Sequence, residues 1–487
     1  MLIKRNIIAV LFLLAPLLGY TQQTDAYTLQ ECVDIALKNN LSIQRSQLNV
    51  ENSKIDVNQS QFDRLPTVNG SIFNSYRWGR SIDPTTNLFT TQRINSNGFS
   101  ANAQVFLFNG LQQLNTIKQN KAALEASAHD LESVKNDVTL NVVSAYLQVI
   151  FARELLENAK TRLNTTSIQR DRTKKLVDAG SLPITNLLEL QSQEATNEAE
   201  LISAENDLNL SMLQLKQLLQ IPGSTSFEIE VPELEVDNLA VMNQRAEEVY
   251  QQAVLTMPEI KSADSRLLSS TYQLKVARGA HSPSIGLRGE VFSNYANTLD
   301  YDGRMVPNGE TEVIPPRVIG YLESDPTQVV VTEPGITQGF DTVDGYPIFE
   351  QYRDNLSRSI GFFINIPIFN GFSTRNNIQR AKLQYEDAKI VKSETQNQLR
   401  QTIETAYNDM QAASKMYYSA DRQVESLEES FRAIERSYNL GASNFVDYQV
   451  SSDNLFRAKS DLTRAKYDYI FKSKVIDFYL GNPITLD

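Results

Sequence analysis

The chain has 487 residues, 41% hydrophobic and 21% charged, with 58 acidic against 46 basic side chains and a net charge of −12. That length suggests two to four domains, and the composition fits neither a disordered chain nor a bundle of membrane helices. The negative charge, with no basic stripe to offset it, argues against a nucleic-acid partner.

At the N-terminus Lys4 and Arg5 precede an apolar run over residues 7–18, followed by Gly19, Tyr20, Thr21 and Gln22. A basic start, a short apolar core and small residues beyond it describe a secretory signal, assigned to residues 1–21. The alternative, a membrane anchor, needs about 20 apolar residues. No cysteine follows the cut directly, so an N-terminal lipid anchor is not indicated. Cys32 is the only cysteine and His129 and His281 the only histidines. No internal disulfide can form, no zinc-like ligand set is present, and neither a metal nor a cofactor is expected. No later stretch is apolar enough for a membrane helix. An exported chain of this kind is free in the periplasm, secreted, or part of an outer-membrane β-barrel.

In chain order the pattern predicts a helix over about 29–63, a β-hairpin over 66–108, a long helix over 110–179, a glycine turn, a helix over 183–220, and a connector over 221–238 rich in Pro and Glu. The order then repeats: a helix, a hairpin over 283–369, a long helix over 371–440 and a helix over 444–480. At an offset of 261, Phe108-Asn109-Gly110 meets Phe369-Asn370-Gly371, Ala145-Tyr146 meets Ala406-Tyr407, and Gly180 meets Gly441. Asp207 likewise meets Asp468, and Pro222 meets Pro483. Upstream the offset is 217: Ala36 meets Ala253, Ile43 meets Ile260 and Pro66 meets Pro283. Residues 22–238 and 239–487 are therefore read as two copies of one unit, the second carrying 44 extra residues between Pro283 and Phe369.

The long helices carry a heptad seam. Val138, Val142, Ala145, Val149, Ala152, Leu156, Ala159 and Leu163 step by 4 and 3 alternately. Copy two reads Leu399, Ile403, Ala406, Met410, Ala413, Tyr417, Ala420 and Val424 at the same positions. Seventy residues of helix extend roughly 105 Å.

The strands have period two. Val68, Gly70, Ile72, Asn74, Tyr76 and Trp78 share one face, with Phe73 an exception on the other. Phe99, Ala101, Ala103, Val105 and Leu107 follow the same rule, as do Ile285, Leu287, Val291 and Tyr295, and Ile360, Phe362, Ile364, Ile366 and Ile368. Four such strands match membrane-spanning β-strands, with a soluble sheet packed on a core as the alternative. Four cannot close a barrel, and open edges are not tolerated in lipid, so spanning strands require an oligomer. At each Phe-Asn-Gly a strand leaves the membrane and becomes a helix. Asn109 and Asn370 supply the helix start, Gly110 and Gly371 the permissive backbone, and Phe108 and Phe369 interface aromatics.

These features resemble the TolC-like outer-membrane efflux proteins, or outer membrane factors. The resemblance covers nearly the whole mature chain and rests on the two copies, the two junctions, and the glycine turns in "LVDAGSLPITNLLEL" and "YNLGASNFVDYQV". It implies an α+β, mainly α, two-repeat fold. Trimers would form a 12-stranded outer-membrane barrel that continues into a periplasmic α-helical coiled-coil barrel. It also implies a homotrimer met by a periplasmic adaptor, itself carried by an inner-membrane pump of resistance-nodulation-division or ABC type. By resemblance, Gly180, Leu182, Gly441 and Ala442 mark adaptor-docking tips. Thr185, Asn186, Tyr438, Ser443, Asp447 and Val450 mark the periplasmic aperture. The family's best-known pattern has Asp, Arg and Asp where this chain has Asn186, Ser443 and Val450. Closure by that salt-bridge set is therefore not expected here.

The 44-residue excess is expected as an acidic, solvated extracellular loop over 297–356. Between Asp300 and Asp354 it holds eleven carboxylates and three arginines. The function expected is an exit duct for efflux or type I secretion. The alternative is a soluble periplasmic coiled-coil scaffold or adaptor. An enzyme is not expected, because no Ser-His-Asp set, metal cluster or phosphate loop is found.

Overall fold

The computed structural model describes residues 26–82, 87–91, 93–232, 245–299, 304–343 and 345–482. The expected signal over 1–21, the copy boundary at 238/239 and the landmark Pro483 lie outside them. The described chain forms two compact units. One comprises residues up to Asn52, Leu124–Arg266 and Ala388 onward; the other comprises Ser53–Ala123 and Leu267–Asp387.

The helices come in matched sets. Leu29–Asn39 (α1) and Leu41–Phe62 (α2) become, on adding 217, Ala246–Thr256 (α5) and Pro258–Gly279 (α6). Gln112–Asp178 (α3) and Ile184–Leu218 (α4) become, on adding 261, Ser373–Asn439 (α8) and Phe445–Tyr479 (α9).

The single helix expected over 29–63 is instead two, and so is its counterpart in copy two. Asn40 is extended, with ψ 126°, and its side chain accepts from the backbone N–H of Ser42 at 2.8 Å, which starts α2. Met257 precedes Pro258, whose ring disfavours helical geometry in the residue before it; Met257 is extended with ψ 130°, and Pro258 opens α6. The other expected helices begin and end one or two residues inside their bounds. The expected 110–179 and 371–440 start late because Gly110, Leu111, Gly371 and Phe372 all have positive φ. The expected 183–220 and 444–480 lose Pro183 and Asn444 to the N-cap position. Their far ends stop at the C-cap residues Leu219 and Leu480.

In the first unit the seam is the core. Val138, Val142, Val149, Ala152 and Leu156 are buried, as are Leu399, Ile403, Met410, Ala413 and Val424. Helix α3 buries a second face as well, through Val143, Tyr146, Leu147 and Ile150. The copy-two counterparts are Glu404, Tyr407, Asn408 and Gln411, and three of these four are exposed. The Tyr146 hydroxyl lies 2.6 Å from the Glu230 carbonyl oxygen and 3.2 Å from that of Tyr27. It thereby anchors a short parallel bridge between Tyr27 and Ile229. Cys32 lies in the same core, and burial pushes its thiol up to about 12.

The second unit holds the sheet. Thr67–Arg77 (β1), Ile94–Asn109 (β4), Ser284–Ala296 (β5) and Ser357–Asn365 (β10) pair antiparallel in the order β1-β4-β5-β10, with Ser81–Ile82 (β2) and Phe89–Thr90 (β3) as a small ladder apart. Strand β10 ends at Asn365 rather than continuing through Ile366 and Ile368 to 369. Pro367 has no N–H to offer a ladder. The register explains the exception at Phe73. Gly98 is its cross-strand partner, and a Cβ there would lie 2.8 Å from the Phe73 ring; Phe363 covers Gly286 in the same way. The opposite, apolar face is bare over much of its width: Ile72 is 88% exposed and Ile360 85%.

Most described residues of the segment expected as an acidic, solvated loop over 297–356 lie in strands or a helix. Arg304–Ile314 (β6) pairs with Gly335–Val343 (β9), and Val318–Leu322 (β7) with Asp325–Val331 (β8), as nested antiparallel ladders. The β-branched runs, such as Val329-Val330-Val331, favour strand over loop despite the carboxylates. Ile348–Asp354 (α7) follows and docks on the sheet. Gln351, fully buried, accepts from the Ala296 backbone N–H at 3.1 Å and donates to the Tyr346 carbonyl at 2.8 Å. The Ser293 hydroxyl donates to the Tyr352 carbonyl at 2.7 Å.

Candidate functional site

The expected functional residues fall at two places in the chain, the strand-to-helix junctions and the helical turns. At the first junction Asn109 ends β4 and caps α3, accepting from the Gln113 N–H at 3.4 Å, while Gln112 Nε2 donates to the Asn109 carbonyl at 2.8 Å. Gly110 is there for a close approach. A Cβ on it would meet the Gly279 carbonyl oxygen at 2.2 Å, and one on Gly279 would meet the Gly110 oxygen at 2.4 Å. The second junction repeats the cap but not the contact. Asn370 accepts from the Thr374 N–H at 3.4 Å, whereas Gly371 has open space around it. Phe369 packs edge-on against Phe372 at 5.5 Å. Phe108 and Phe369 are both exposed.

The two glycine turns are built alike. Gly180 has φ +71° and its N–H donates to the Val177 carbonyl at 2.9 Å; Ser181 donates back to Leu176 at 2.8 Å. Gly441 has φ +75° and donates to Tyr438 at 3.0 Å; Ala442 donates to Ser437 at 2.8 Å. These back-bonds satisfy the last helix carbonyls, and the positive φ suits glycine. Leu182 is half-buried and Ala442 exposed.

Of the expected aperture residues, the copy-two set is partly brought together. Tyr438 stacks on Tyr448 at 5.0 Å and lies 6.1 Å from the Phe445 ring. Leu190 of α4 joins this cluster. Burial, reinforced by Glu435 and Tyr438, pushes the Tyr448 hydroxyl up to about 12. Asp447 sits in the first turn of α9, where its N–H donates to the capping Asn444 side chain at 2.8 Å, and its carboxylate accepts from Ser443 Oγ at 3.4 Å. That carboxylate is exposed beside a helix N-terminus, where negative charge is favoured. Thr185 and Val450 are exposed and Asn186 half-buried. Among the described residues no hydrogen bond or ion pair joins Thr185 or Asn186 to the copy-two set.

The charged contacts that sequence reasoning missed lie higher on the same helices. Arg162 of α3, its side chain 14% exposed, pairs with Glu200 of α4 and, at 2.6 Å, with Asp453 of α9. It also lies over the Phe456 ring at 5.8 Å. Arg170 pairs with Glu194 at 3.1 Å, and Arg172 donates to Asn439 Oδ1 at 2.6 Å. No sequence signal marks Asp453 as a partner 291 residues from Arg162.

The sequence model of the family described as "Outer membrane efflux protein" matches residues 32–219 and 342–482. The chain is 20% identical to outer membrane protein TolC of Escherichia coli (strain K12), over 95% of this chain and 84% of that protein. It is 21% identical to outer membrane efflux protein BepC of Brucella suis biovar 1 (strain 1330), over 96% and 88%. Its fold is similar to the crystal structure of CusC, with a TM-score of 0.73 and 16% identity over 93% of this chain and 92% of that one. Two-thirds of the sequence matches a single family, and the fold follows that of a solved channel, so the chain belongs to the outer membrane efflux protein family of transport proteins.

Proposed function

We propose that this chain is the outer-membrane exit duct of a tripartite efflux or type I secretion assembly. Three copies would close the barrel. A periplasmic adaptor carried by an inner-membrane pump, of resistance-nodulation-division or ABC type, would meet the turns at Gly180, Leu182, Gly441 and Ala442. The observation that carries this reading is the open four-stranded sheet, with β1 and β10 as its edges and an uncovered apolar face. Such a face is costly in water and suited to lipid, and in lipid the two unpaired edges are costly unless copies join edge to edge.

The repeat offsets support a register for this joint. Within the chain Ala103 of β4 faces Gly289 of β5, and Ala101 faces Val291. Carried through the offsets, these pairs set Ile364 of β10 opposite Ile72 of a neighbouring β1, and Phe362 opposite Asn74. The apolar face stays continuous across that joint, which a soluble scaffold would have no use for.

The described helices include none long and apolar enough to cross a membrane, so the strands carry the membrane contact in this reading. The β6–β9 and β7–β8 arm then lies outside the cell, and the helical turns lie in the periplasm. The aperture is formed by Thr185, Asn186, Tyr438, Ser443, Asp447 and Val450, with Arg162 holding the helices above it. Mass measurement of detergent-purified protein tests the reading: three chains are expected, and a stable monomer with its full β-content would sink it.

A further inference from the structure

On the bare face of the sheet the apolar side chains stop at nearly one level. In β1 that face passes from Val68 and Ile72 to Asn74, and in β4 from Leu107 and Phe99 to Asn97. It turns polar at Ser293 in β5 and at Arg358 in β10. The register sets Phe99 between Ile72 and Ser293, and Asn97 opposite Asn74. From Leu107 to Phe99 is eight residues, about 27 Å along a strand and about 21 Å in height at a tilt of about 40°. A lipid-facing apolar band is about 25 Å tall, so the strands alone fall short of it at the end that carries the β-arm.

Helix α7 is seated at that level and on that face. The Tyr352 ring packs on Phe99 at 5.6 Å, and its hydroxyl donates to Asn97 Oδ1. Ser293, which donates to the Tyr352 carbonyl at 2.7 Å, is fully buried. The helix therefore covers the polar side chains that interrupt the apolar face. It also has two distinct flanks. Gln351 bonds Ala296, three residues beyond Ser293 toward the arm, so its flank is turned to the arm and that of Tyr352 to the apolar band. Phe349 precedes Tyr352 by three positions and shares its flank, yet it is 82% exposed. Glu350 and Arg353, the latter paired with Asp354 at 3.0 Å, lie on the side away from the sheet.

We propose that α7 is a membrane foot. It lies in the headgroup layer of the outer leaflet, with Phe349 set into the acyl-chain boundary and Glu350 and Arg353 turned to the headgroups. The occupant of the Phe349 flank is lipid because that flank continues the face of Ile72, Phe99 and Ile360, so the inference rests on the membrane contact proposed above. An aromatic flank beside a charged one is the pattern of helices that lie in a bilayer interface. The foot makes up the height that the strands lack, and it fixes how deep the sheet sits from the outside.

The test uses the full chain in vesicles of phosphatidylethanolamine and phosphatidylglycerol doped with brominated phosphatidylcholine, with a bimane label on an introduced cysteine. Cys32 can stay, since it is buried and its thiol is pushed up to about 12. The label at Phe349→Cys is expected to be quenched more by lipid brominated near the headgroup than by lipid brominated near the chain ends, and to be shielded from iodide present on both sides of the bilayer. Ile360→Cys, at the middle of the strand face, should respond most to the deep bromines, and Tyr321→Cys, on the arm, to iodide alone. All three side chains are exposed, so the labels leave the fold intact. If Phe349→Cys behaves like Tyr321→Cys while Ile360→Cys meets lipid, the foot is overturned and the membrane face stands. If Phe349→Cys responds most to the deep bromines, its place at the headgroup level is overturned. If Ile360→Cys meets iodide and no lipid, the foot and the membrane face fall together.

Discussion

Arg162 and Asp453, 291 residues apart in sequence, meet at 2.6 Å and join the long helix of copy one to the last helix of copy two. Removing one partner leaves the other charged and poorly solvated. Arg162→Ala is expected to destabilise the protein by about 2–3 kcal/mol, below the roughly 3–5 kcal/mol of a fully buried pair because both side chains retain some solvent. Asp453→Ala should cost less, since Arg162 keeps Glu200. A double-mutant cycle by chemical denaturation checks both, and additivity of the two changes would show that the pair contributes nothing.

The two junction glycines should separate sharply. Gly110→Ala drives a Cβ into the Gly279 backbone, where no flexible side chain can give way, and is expected to prevent normal accumulation in the membrane. Gly371→Ala meets open space and pays only for its φ of +63°, about 1 kcal/mol. Comparing thermal unfolding and membrane yield of the two variants decides it. Equal effects would mean that strain, not the close approach, governs both positions.

Replacing residues 304–343 by a short flexible linker should leave the β1-β4-β5-β10 sheet and the oligomer intact, because those strands pair only among themselves. Extending the deletion through α7 should not be neutral. It strands the Ala296 N–H and the Ser293 hydroxyl, which Gln351 and Tyr352 satisfy, at about 1–3 kcal/mol each. Heat-induced dissociation of the two deletion variants measures the difference.

Glu259 at the start of α6 has its carboxyl raised above the ordinary range, first by burial and further by Asp137, which is itself raised by burial. A raised carboxyl means that the folded state holds the proton more tightly than the unfolded one. The folded state is therefore favoured below the unfolded pKa of about 4.3, and that advantage is lost as pH rises through the folded value. Glu259→Gln should raise the melting temperature at pH 8 and leave it nearly unchanged at pH 4. A variant less stable than the parent at pH 8 would overturn the argument.

The Asp447 carboxylate is exposed, and three copies ringed near the aperture would attract cations. Block of planar-bilayer conductance by multivalent cations is expected, and Asp447→Asn should weaken it. Tyr438→Ala removes a ring stacked on Tyr448 and near Phe445, at about 2 kcal/mol for a half-buried aromatic, and should raise the resting conductance. Unchanged block in Asp447→Asn would place the cation site elsewhere.

The seam from Val138 to Leu163 was readable because helical periodicity is a local property, and the offsets were readable because Asn109, Gly180 and their counterparts each serve a local backbone need. The break at Asn40 was not. Asparagine is tolerated in helices, and only its extended ψ and its bond to Ser42 reveal the cap. Met257-Pro258 was the plainer sign, and 217 would have carried it back to Asn40. The strands of the β-arm were not legible because its many carboxylates, prolines and glycines mask its β-branched runs. Of the expected aperture residues, Tyr438 packs on Tyr448 and Phe445, and Asp447 bonds Ser443 and Asn444. The Arg162 pairs depend on tertiary proximity that no spacing encodes.

The equal lengths of α3 and α8, 67 residues each, and of α4 and α9, 35 each, bear on what change this protein can absorb. A single inserted residue turns everything beyond it by about 100° and moves it about 1.5 Å, taking the apolar stripe off its partner. Seven residues restore the stripe to within about 20°. In these four helices substitution is graded, but length is quantised: it can change by whole heptads, and only in concert among helices that must end together.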